Sequence, residues 1–148
     1  MSNHHLDSNV VIALINRDPK WSAVSLQPID RVRSHYRSAI AARDPLAVSS
    51  IVVHELYFGA LKSSRRRENL AKLELFLASG ISVLSFESED ARAAGEIRAL
   101  LTAKGTPIGP YDVLIAGQAL RHGATLVTAN ARELRRVPGL KVVDWTRK

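Results

Sequence analysis

The sequence predicts an α/β protein built around a mostly parallel sheet. Short apolar runs typical of strands alternate with longer stretches of helical periodicity along the 148 residues, which is the pattern of a sheet covered by helices. The length fits one domain and leaves no room for two well-built cores. The sequence shows no internal repeat and no low-complexity segment. We therefore expect a single domain over residues 1–148, with a twisted central sheet flanked by helices.

The individual elements follow from apolar periodicity, capping residues and turn residues. Residues 17–29 contain two prolines and no clear period, so we predict a loop or insertion there. GTPIGP at 105–110 predicts a rigid turn. The predicted elements in chain order are a strand at His4–Leu6, helices at Asn9–Ile15 and Asp30–Arg43, a strand at Leu46–Val48, a helix starting at Ser49 or Ser50, a helix through Leu70–Leu77, a strand at Ile81–Leu84, helices at Glu87–Lys104 and Tyr111–Arg121, a strand at Thr125–Val127, a short helix at Ala131–Leu134 and a strand at Leu140–Val143.

The composition limits the possible functions. Lys and Arg number 21 against 14 Asp and Glu, a net charge of +7, which favours partners that carry phosphate or carboxylate groups. The absence of cysteine excludes a disulfide, a thiolate metal site and a thiol nucleophile. The amino-terminal segment does not resemble a signal peptide, and no apolar run is long enough to span a bilayer. We expect a cytoplasmic protein without a membrane association.

Three acidic residues stand in apolar or constrained sequence. Asp7 precedes a run of apolar residues, Glu55 lies within VVHELYFGAL, and Asp112 follows GTPIGPY. Other acids, such as those of Glu87–Asp90, lie in polar company, and we expect them to be solvated. Ligands of parallel sheets bind beyond the carboxyl ends of the strands, a rule that points to Asp7 and to Asn130, just after the fourth strand.

Two interpretations of these acids are open. A buried carboxylate needs a compensating partner, and three of them from distant segments could surround a divalent cation such as Mg²⁺, which prefers oxygen ligands and also binds phosphates. Alternatively, Asp7 and Asp112 stand at predicted helix starts and could be helix caps. Glu55 is harder to explain as a cap, because it lies about one turn into its helix.

The same segments resemble the PIN family of nucleases, and in particular the VapC-type toxins of toxin–antitoxin pairs. The resemblance covers nearly the whole chain in the right order. It is carried by four segments: LDSNVVIALI, SSIVVHELYFGAL, PIGPYDVLIAGQAL and LVTANARELRRVPGLKVVDW.

The resemblance implies a PIN-like three-layer fold and an RNA endonuclease that uses metal-activated water. It implies that Asp7, Glu55 and Asp112 bind Mg²⁺ or Mn²⁺. It places Asn130 at a fourth site position, where many relatives have Asp; a neutral amide there could hold water or substrate but could not act as a base. Whether Asn130 or Glu133, one turn later, completes the site stays open. The segment 17–45 is longer than usual, and no function is assigned to it.

The resemblance further implies RNA as substrate, inhibition by a small antitoxin whose peptide lies across the acidic site, and a homodimer. Ser8, Asn9 and Thr128 could orient the carboxylates or form local turns. None of the five histidines has metal-site spacing. Two other functions compete with the ribonuclease. One is a binding module with the same fold that holds RNA or protein without cutting it. The other is a phosphotransferase with Asp7 as nucleophile, which is disfavoured because such enzymes usually carry a second Asp where this chain has Asn9.

Overall fold

The fold is a five-stranded sheet with helices on both faces. The computed structural model describes residues 3–15 and 19–147. The strands are β1 His4–Leu6, β2 Leu46–Ser49, β3 Ser82–Leu84, β4 Thr125–Val127 and β5 Lys141–Val143. The helices are α1 Ser8–Ile15, α2 Pro19–Ala41, α3 Ser50–Lys62, α4 Arg66–Leu77, α5 Ser88–Ala103, α6 Pro110–Arg121 and α7 Ala131–Leu134.

The sheet is parallel, as the sequence predicts. Its strand order is β3-β2-β1-β4-β5, and all four neighbouring pairs run parallel. The order reverses at β1, which lies between β2 and β4. The carboxyl ends of β1 and β4 therefore lie side by side, where a parallel α/β sheet has its binding crevice.

Successive side chains of β1 show the layers on the two faces of the sheet. The His4 ring contacts Trp145, which in turn stacks on His35 of α2. The His5 ring contacts His122 at the end of α6. Strand side chains alternate between the two faces, so α2 covers one face and α6 covers the other. The core between these layers is apolar and includes Leu6, Val11, Val48, Val52, Leu73, Leu101, Leu126, Val127 and Leu134.

The prediction of a loop at 17–29 is wrong for the described residues from Pro19 onward, because α2 begins there and continues through Pro28. Residues 16–18 lie outside the described part of the chain. Proline is compatible with the first turn of a helix, but Pro28 lies far inside one. The second half of α2 has tertiary contacts that hold it: Val32 is buried in the core, and Arg31 donates to the Thr146 carbonyl. None of the described helices is both long enough and apolar enough to cross a membrane.

Close packing of α5 against α6 depends on Gly117. A Cβ atom built at this position would lie 2.6 Å from the Ala94 backbone nitrogen, which is closer than non-bonded atoms approach. Gly95, the next residue of α5, is exposed and has open space around its own Cβ position. Packing of α5 against α6 therefore requires a glycine at position 117 but not at position 95.

We predict that Gly117→Ala destabilises the protein by about 1–3 kcal/mol, the usual cost of overpacking a core. Gly95→Ala is the matched control, and it should stabilise by roughly 0.5–1 kcal/mol because alanine is the better helix former. Urea unfolding of both variants measures the difference. Equal effects of the two substitutions would contradict this account of the α5–α6 contact.

Candidate active site

Asp7 is the buried anchor of the site. It follows β1, and only 4% of its surface is exposed. One carboxylate oxygen accepts the Ser8 backbone N–H at 2.8 Å, and the other accepts the Thr128 hydroxyl at 2.8 Å. An ordinary cap accepts from the second or third N–H of a helix, whereas Ser8 is the first residue of α1. The contacts of Asp7 therefore join β1 to the end of β4 and are not those of an ordinary helix cap.

Asn9 and Thr128 hold the loop after β4 against Asp7. The Asn9 amide nitrogen lies 3.3 Å from Thr128 Oγ1, and its oxygen accepts the Ala129 backbone N–H at 3.0 Å. Thr128 Oγ1 also accepts the Asn130 backbone N–H at 3.0 Å. These bonds fix the direction in which Asn130 leaves the strand. Of the residues expected to orient Asp7, Asn9 and Thr128 contact it through side chains, and Ser8 does so through its backbone.

Glu55 is a carboxylate without compensation. It lies on α3, and its Oε1 atom is buried with no hydrogen-bond partner among the described residues. Burial, together with the nearby charges of Asp7 and Asp112, raises the pKa of Glu55 to about 7. A buried acid near other acids is the arrangement that favours either a proton or a cation. The three predicted acids, from three separate segments, therefore act on one another electrostatically.

Asp112 lies on the first turn of α6. Gly109 is the N-cap of that helix, and no side chain makes a capping bond there. Asp112 lies in the first turn, where its charge favours the helix dipole, but its side chain accepts from Asn130 rather than from a backbone N–H at the helix start. A Cβ atom at Gly109 would lie 3.3 Å from Asp112 Oδ2, so the glycine leaves room for this carboxylate. Burial and the charge of Asp7 raise the pKa of Asp112.

Asn130 joins two acids through one amide. Its nitrogen donates to Asp112 Oδ2 at 3.2 Å and to Glu133 Oε2 at 3.0 Å. The hydrogen bond from Asn130 lowers the pKa of Asp112, while Glu133 raises it. Glu133 therefore belongs to the acidic cluster, and Asn130 acts there as a hydrogen-bond donor. We call Asp7, Glu55, Asp112, Asn130 and Glu133 the acidic site.

The donor chemistry of the acidic site fits a hard divalent cation, although the side chains do not form a ready-made cage. Within the described part of the chain, no three His, Asp or Glu side chains are arranged to hold a metal ion. The unpartnered Glu55 oxygen and the mutual effects of Glu55, Asp7 and Asp112 are what a bound cation would satisfy. If these residues bind one, the carboxylates must draw together around it.

One prediction about the acidic residues is wrong. Asp90 was expected to be solvated, yet it is fully buried and forms an ion pair with Arg121. It also accepts the Glu87 backbone N–H at 2.8 Å and closes a capping box at the start of α5. The sequence signal was the capping-box spacing of Glu87 and Asp90. The Asp90–Arg121 pair links α5 to the end of α6 opposite Asp112, so it stabilises the fold rather than the site.

Comparison with known proteins identifies the class. Residues 5–140 match the PIN domain family, so the chain belongs to that family. Among curated relatives, it is 46% identical over 100 residues to the tRNA(fMet)-specific endonuclease VapC of Salmonella typhimurium, covering 68% of this chain and 75% of the relative. It is 35% identical over 142 residues to Ribonuclease VapC2 of Rickettsia felis, covering 95% and 96% of the two chains.

Solved structures agree with the sequence comparison. One similar structure is that of VapBC2 from Rickettsia felis bound to a promoter DNA fragment. It superposes with a TM-score of 0.82 at 34% identity and covers 96% of this chain and 98% of that chain. DNA-bound VapBC from Salmonella typhimurium gives a TM-score of 0.81 at 37% identity, over 98% and 99%. The PIN-like fold expected from the sequence is thereby confirmed, and the relatives place the chain among VapC proteins.

The raised pKa of Glu55 predicts how stability depends on pH in EDTA. Between the ordinary pKa of 4.5 and the folded pKa of about 7, the folded state binds more protons than the unfolded state, so stability falls as pH rises through that window. Glu55→Gln should remove this loss and melt higher than the parent above neutral pH. Glu74→Gln, an exposed change on α4, is the matched control. If the melting temperatures of the parent and Glu55→Gln changed in parallel with pH, the raised pKa assigned to Glu55 would be contradicted.

Proposed function

We propose that this chain is an endoribonuclease that requires Mg²⁺ or Mn²⁺ and that serves as the toxin of a toxin–antitoxin pair. The observation that carries the proposal is the partly buried carboxylate of Glu55, whose Oε1 atom has no partner in the described structure and whose pKa is raised by the charges of Asp7 and Asp112. The family supports the same activity, because the curated relatives are named ribonucleases or endonucleases.

The proposed mechanism assigns separate tasks to the side chains. A divalent ion held by Asp7, Glu55 and Asp112 would stabilise negative charge on the phosphodiester and make water a better nucleophile. Thr128 and the Ser8 N–H keep the Asp7 carboxylate in a fixed orientation. Asn130 donates to Asp112 and Glu133 and so limits the repulsion between them while the site is without a cation. No protein nucleophile is needed.

The relatives suggest a first substrate to test. Two curated relatives, from Salmonella typhimurium and Shigella flexneri, are named tRNA(fMet)-specific endonucleases. We therefore propose tRNA(fMet) as the first candidate RNA. The net charge of +7 supports a polyanionic substrate of this kind, because phosphate contacts supply much of the affinity for nucleic acids.

The partners are proposed from the same comparison. Several solved structures similar to this chain are toxin–antitoxin complexes, which supports a small antitoxin that covers the acidic site. We also propose a homodimer and a cytoplasmic location, both expected from the sequence.

A binding module that holds RNA without cutting it is the second candidate. Two observations favour it: the fourth site position is an amide, and the described acids do not form a ready-made metal cage. Asn9 is an amide and so cannot supply the second carboxylate of a phosphotransferase; its side chain instead bonds to the loop after β4. Metal-dependent cleavage of labelled RNA separates the ribonuclease from the binding module.

We predict that Asp112→Asn abolishes RNA cleavage and also abolishes the rise in melting temperature on adding Mg²⁺. The amide keeps the size of the side chain and can still accept from Asn130, but it removes a charge that would hold the ion. Asp30→Asn, an exposed change on α2, is the control and should leave both properties intact. Cleavage of tRNA(fMet) and of total RNA measures activity, and melting curves with added Mg²⁺ or EDTA measure the linkage. Cleavage by Asp112→Asn at the parent's rate would disprove the assignment.

A further inference from the structure

Two aromatic rings meet beside the acidic site. The His54 ring on α3 and the Tyr111 ring on α6 have their centroids 5.5 Å apart, with an angle of 49° between their planes. Each ring belongs to the residue directly before a site carboxylate, Glu55 in one helix and Asp112 in the other. The two helices that deliver carboxylates to the site therefore also deliver a pair of rings to its edge. We call His54 and Tyr111 the ring pair.

The ring pair is exposed. Tyr111 retains 47% of its surface, and His54 is exposed as well. By contrast, Trp145 on another part of the sheet has only 4% of its surface exposed and belongs to the core. An aromatic contact in a protein interior excludes solvent from both rings, whereas the ring pair leaves flat apolar surface in contact with water. Exposed aromatic surface of this kind is suited to stacking with another flat group.

The ring pair also stands on fixed backbone. Tyr111 is the second residue of α6, after Gly109 as the N-cap and Pro110 as the first helical residue. A hydrogen bond holds the turn before that helix: Arg136 donates to the Pro107 carbonyl at 3.0 Å. His54 lies inside α3, so it does not depend on a loop. A stacking surface of this kind loses little conformational freedom when a ligand binds.

We propose that the ring pair is a stacking platform for the RNA base next to the scissile phosphate. The inference rests on the proposed ribonuclease function. Proteins that recognise single-stranded RNA stack its unpaired bases on aromatic side chains. Because His54 and Tyr111 directly precede Glu55 and Asp112 in their helices, a base stacked on the ring pair would lie next to the segments that carry these carboxylates, and its adjoining phosphate could reach the acidic site. The ring pair is thus a positioning device, and the acids carry the chemistry.

The competing explanation is structural. Contact between His54 and Tyr111 could serve only to hold α3 against α6. That role predicts a loss of stability on substitution and no effect on RNA. A contact surface for a protein partner likewise predicts no effect on RNA in the isolated chain.

The test begins by mapping the bond that the parent cleaves in tRNA(fMet) or total RNA. Steady-state cleavage is then measured for Tyr111→Ala, His54→Ala and Tyr111→Phe. In parallel, RNA with 2-aminopurine at each nucleotide flanking the mapped bond is bound to the non-cleaving Asp112→Asn protein, with and without the same ring substitutions. Stacking quenches 2-aminopurine, so the fluorescence reports the contact without any cleavage. Leu75→Ala, an exposed change on α4 with 76% of the residue accessible, is the control.

The platform predicts that Tyr111→Ala raises KM about tenfold or more, the usual effect of removing one base–aromatic stack, with little change in kcat. Quenching at one flanking position should be lost in Tyr111→Ala, reduced in His54→Ala and retained in Tyr111→Phe and Leu75→Ala. Unchanged KM and unchanged quenching in Tyr111→Ala would overturn the proposal, even if that variant melts lower.

The experiment distinguishes failure of the stacking platform from failure of the proposed ribonuclease function. If the parent cuts RNA and the alanine variants behave like the parent, the platform is wrong and the ribonuclease stands. If the parent cuts no RNA in Mg²⁺, no bond can be mapped, and 2-aminopurine is instead placed in turn at the unpaired nucleotides of tRNA(fMet). Quenching in the Asp112→Asn protein that depends on Tyr111 would then show that the rings stack on RNA and that the nuclease assignment is the part that fails.

Discussion

The main physical constraint on this structure is the concentration of negative charge at the carboxyl edge of the sheet, which the surrounding residues must compensate. Asp7 is almost fully buried there, and its charge raises the pKa of both Glu55 and Asp112, while Asp112 also raises the pKa of Glu55. Like charges in a partly desolvated place oppose folding unless protons, hydrogen-bond donors or a cation compensate them. The parallel sheet creates this situation, because its reversal at β1 brings the ends of β1 and β4 together.

The surrounding hydrogen bonds compensate each acid differently. Asp7 has two close donors, the Ser8 N–H and the Thr128 hydroxyl. Asp112 has one, the Asn130 amide. Glu55 has a buried oxygen with none in the described structure. Burial and the charges of Asp7 and Asp112 raise the pKa of Glu55 to about 7, and no donor to its buried oxygen offsets them. We therefore expect a bound cation to lower the pKa of Glu55 more than that of Asp7 or Asp112, because no hydrogen-bond donor already stabilises the buried oxygen of Glu55.

The sequence predicted the strands and the parallel sheet, because these follow from local patterns of apolar runs and capping residues. It also singled out Asp7, Glu55 and Asp112 as carboxylates in apolar or constrained sequence, and their role as metal ligands stays a prediction. It failed where a distant contact overrides the local pattern. Pro28 suggested a loop, but α2 continues through it and packs on the core through residues such as Val32. Asp90 looked solvated because its partner, Arg121, is distant in sequence. The contact of His54 with Tyr111 was likewise beyond any local pattern.

If the proposed divalent-cation site exists, Glu55 should exchange a proton for the shared cation, and this exchange is the central claim to test. Isothermal titration of Mg²⁺ into the metal-free protein at neutral pH, in buffers of different ionisation enthalpy, measures the protons released per ion. Since the pKa of Glu55 is about 7, the account predicts release of a substantial fraction of a proton by the parent and much less by Glu55→Gln. Binding with no proton release, or equal release by both proteins, would contradict it.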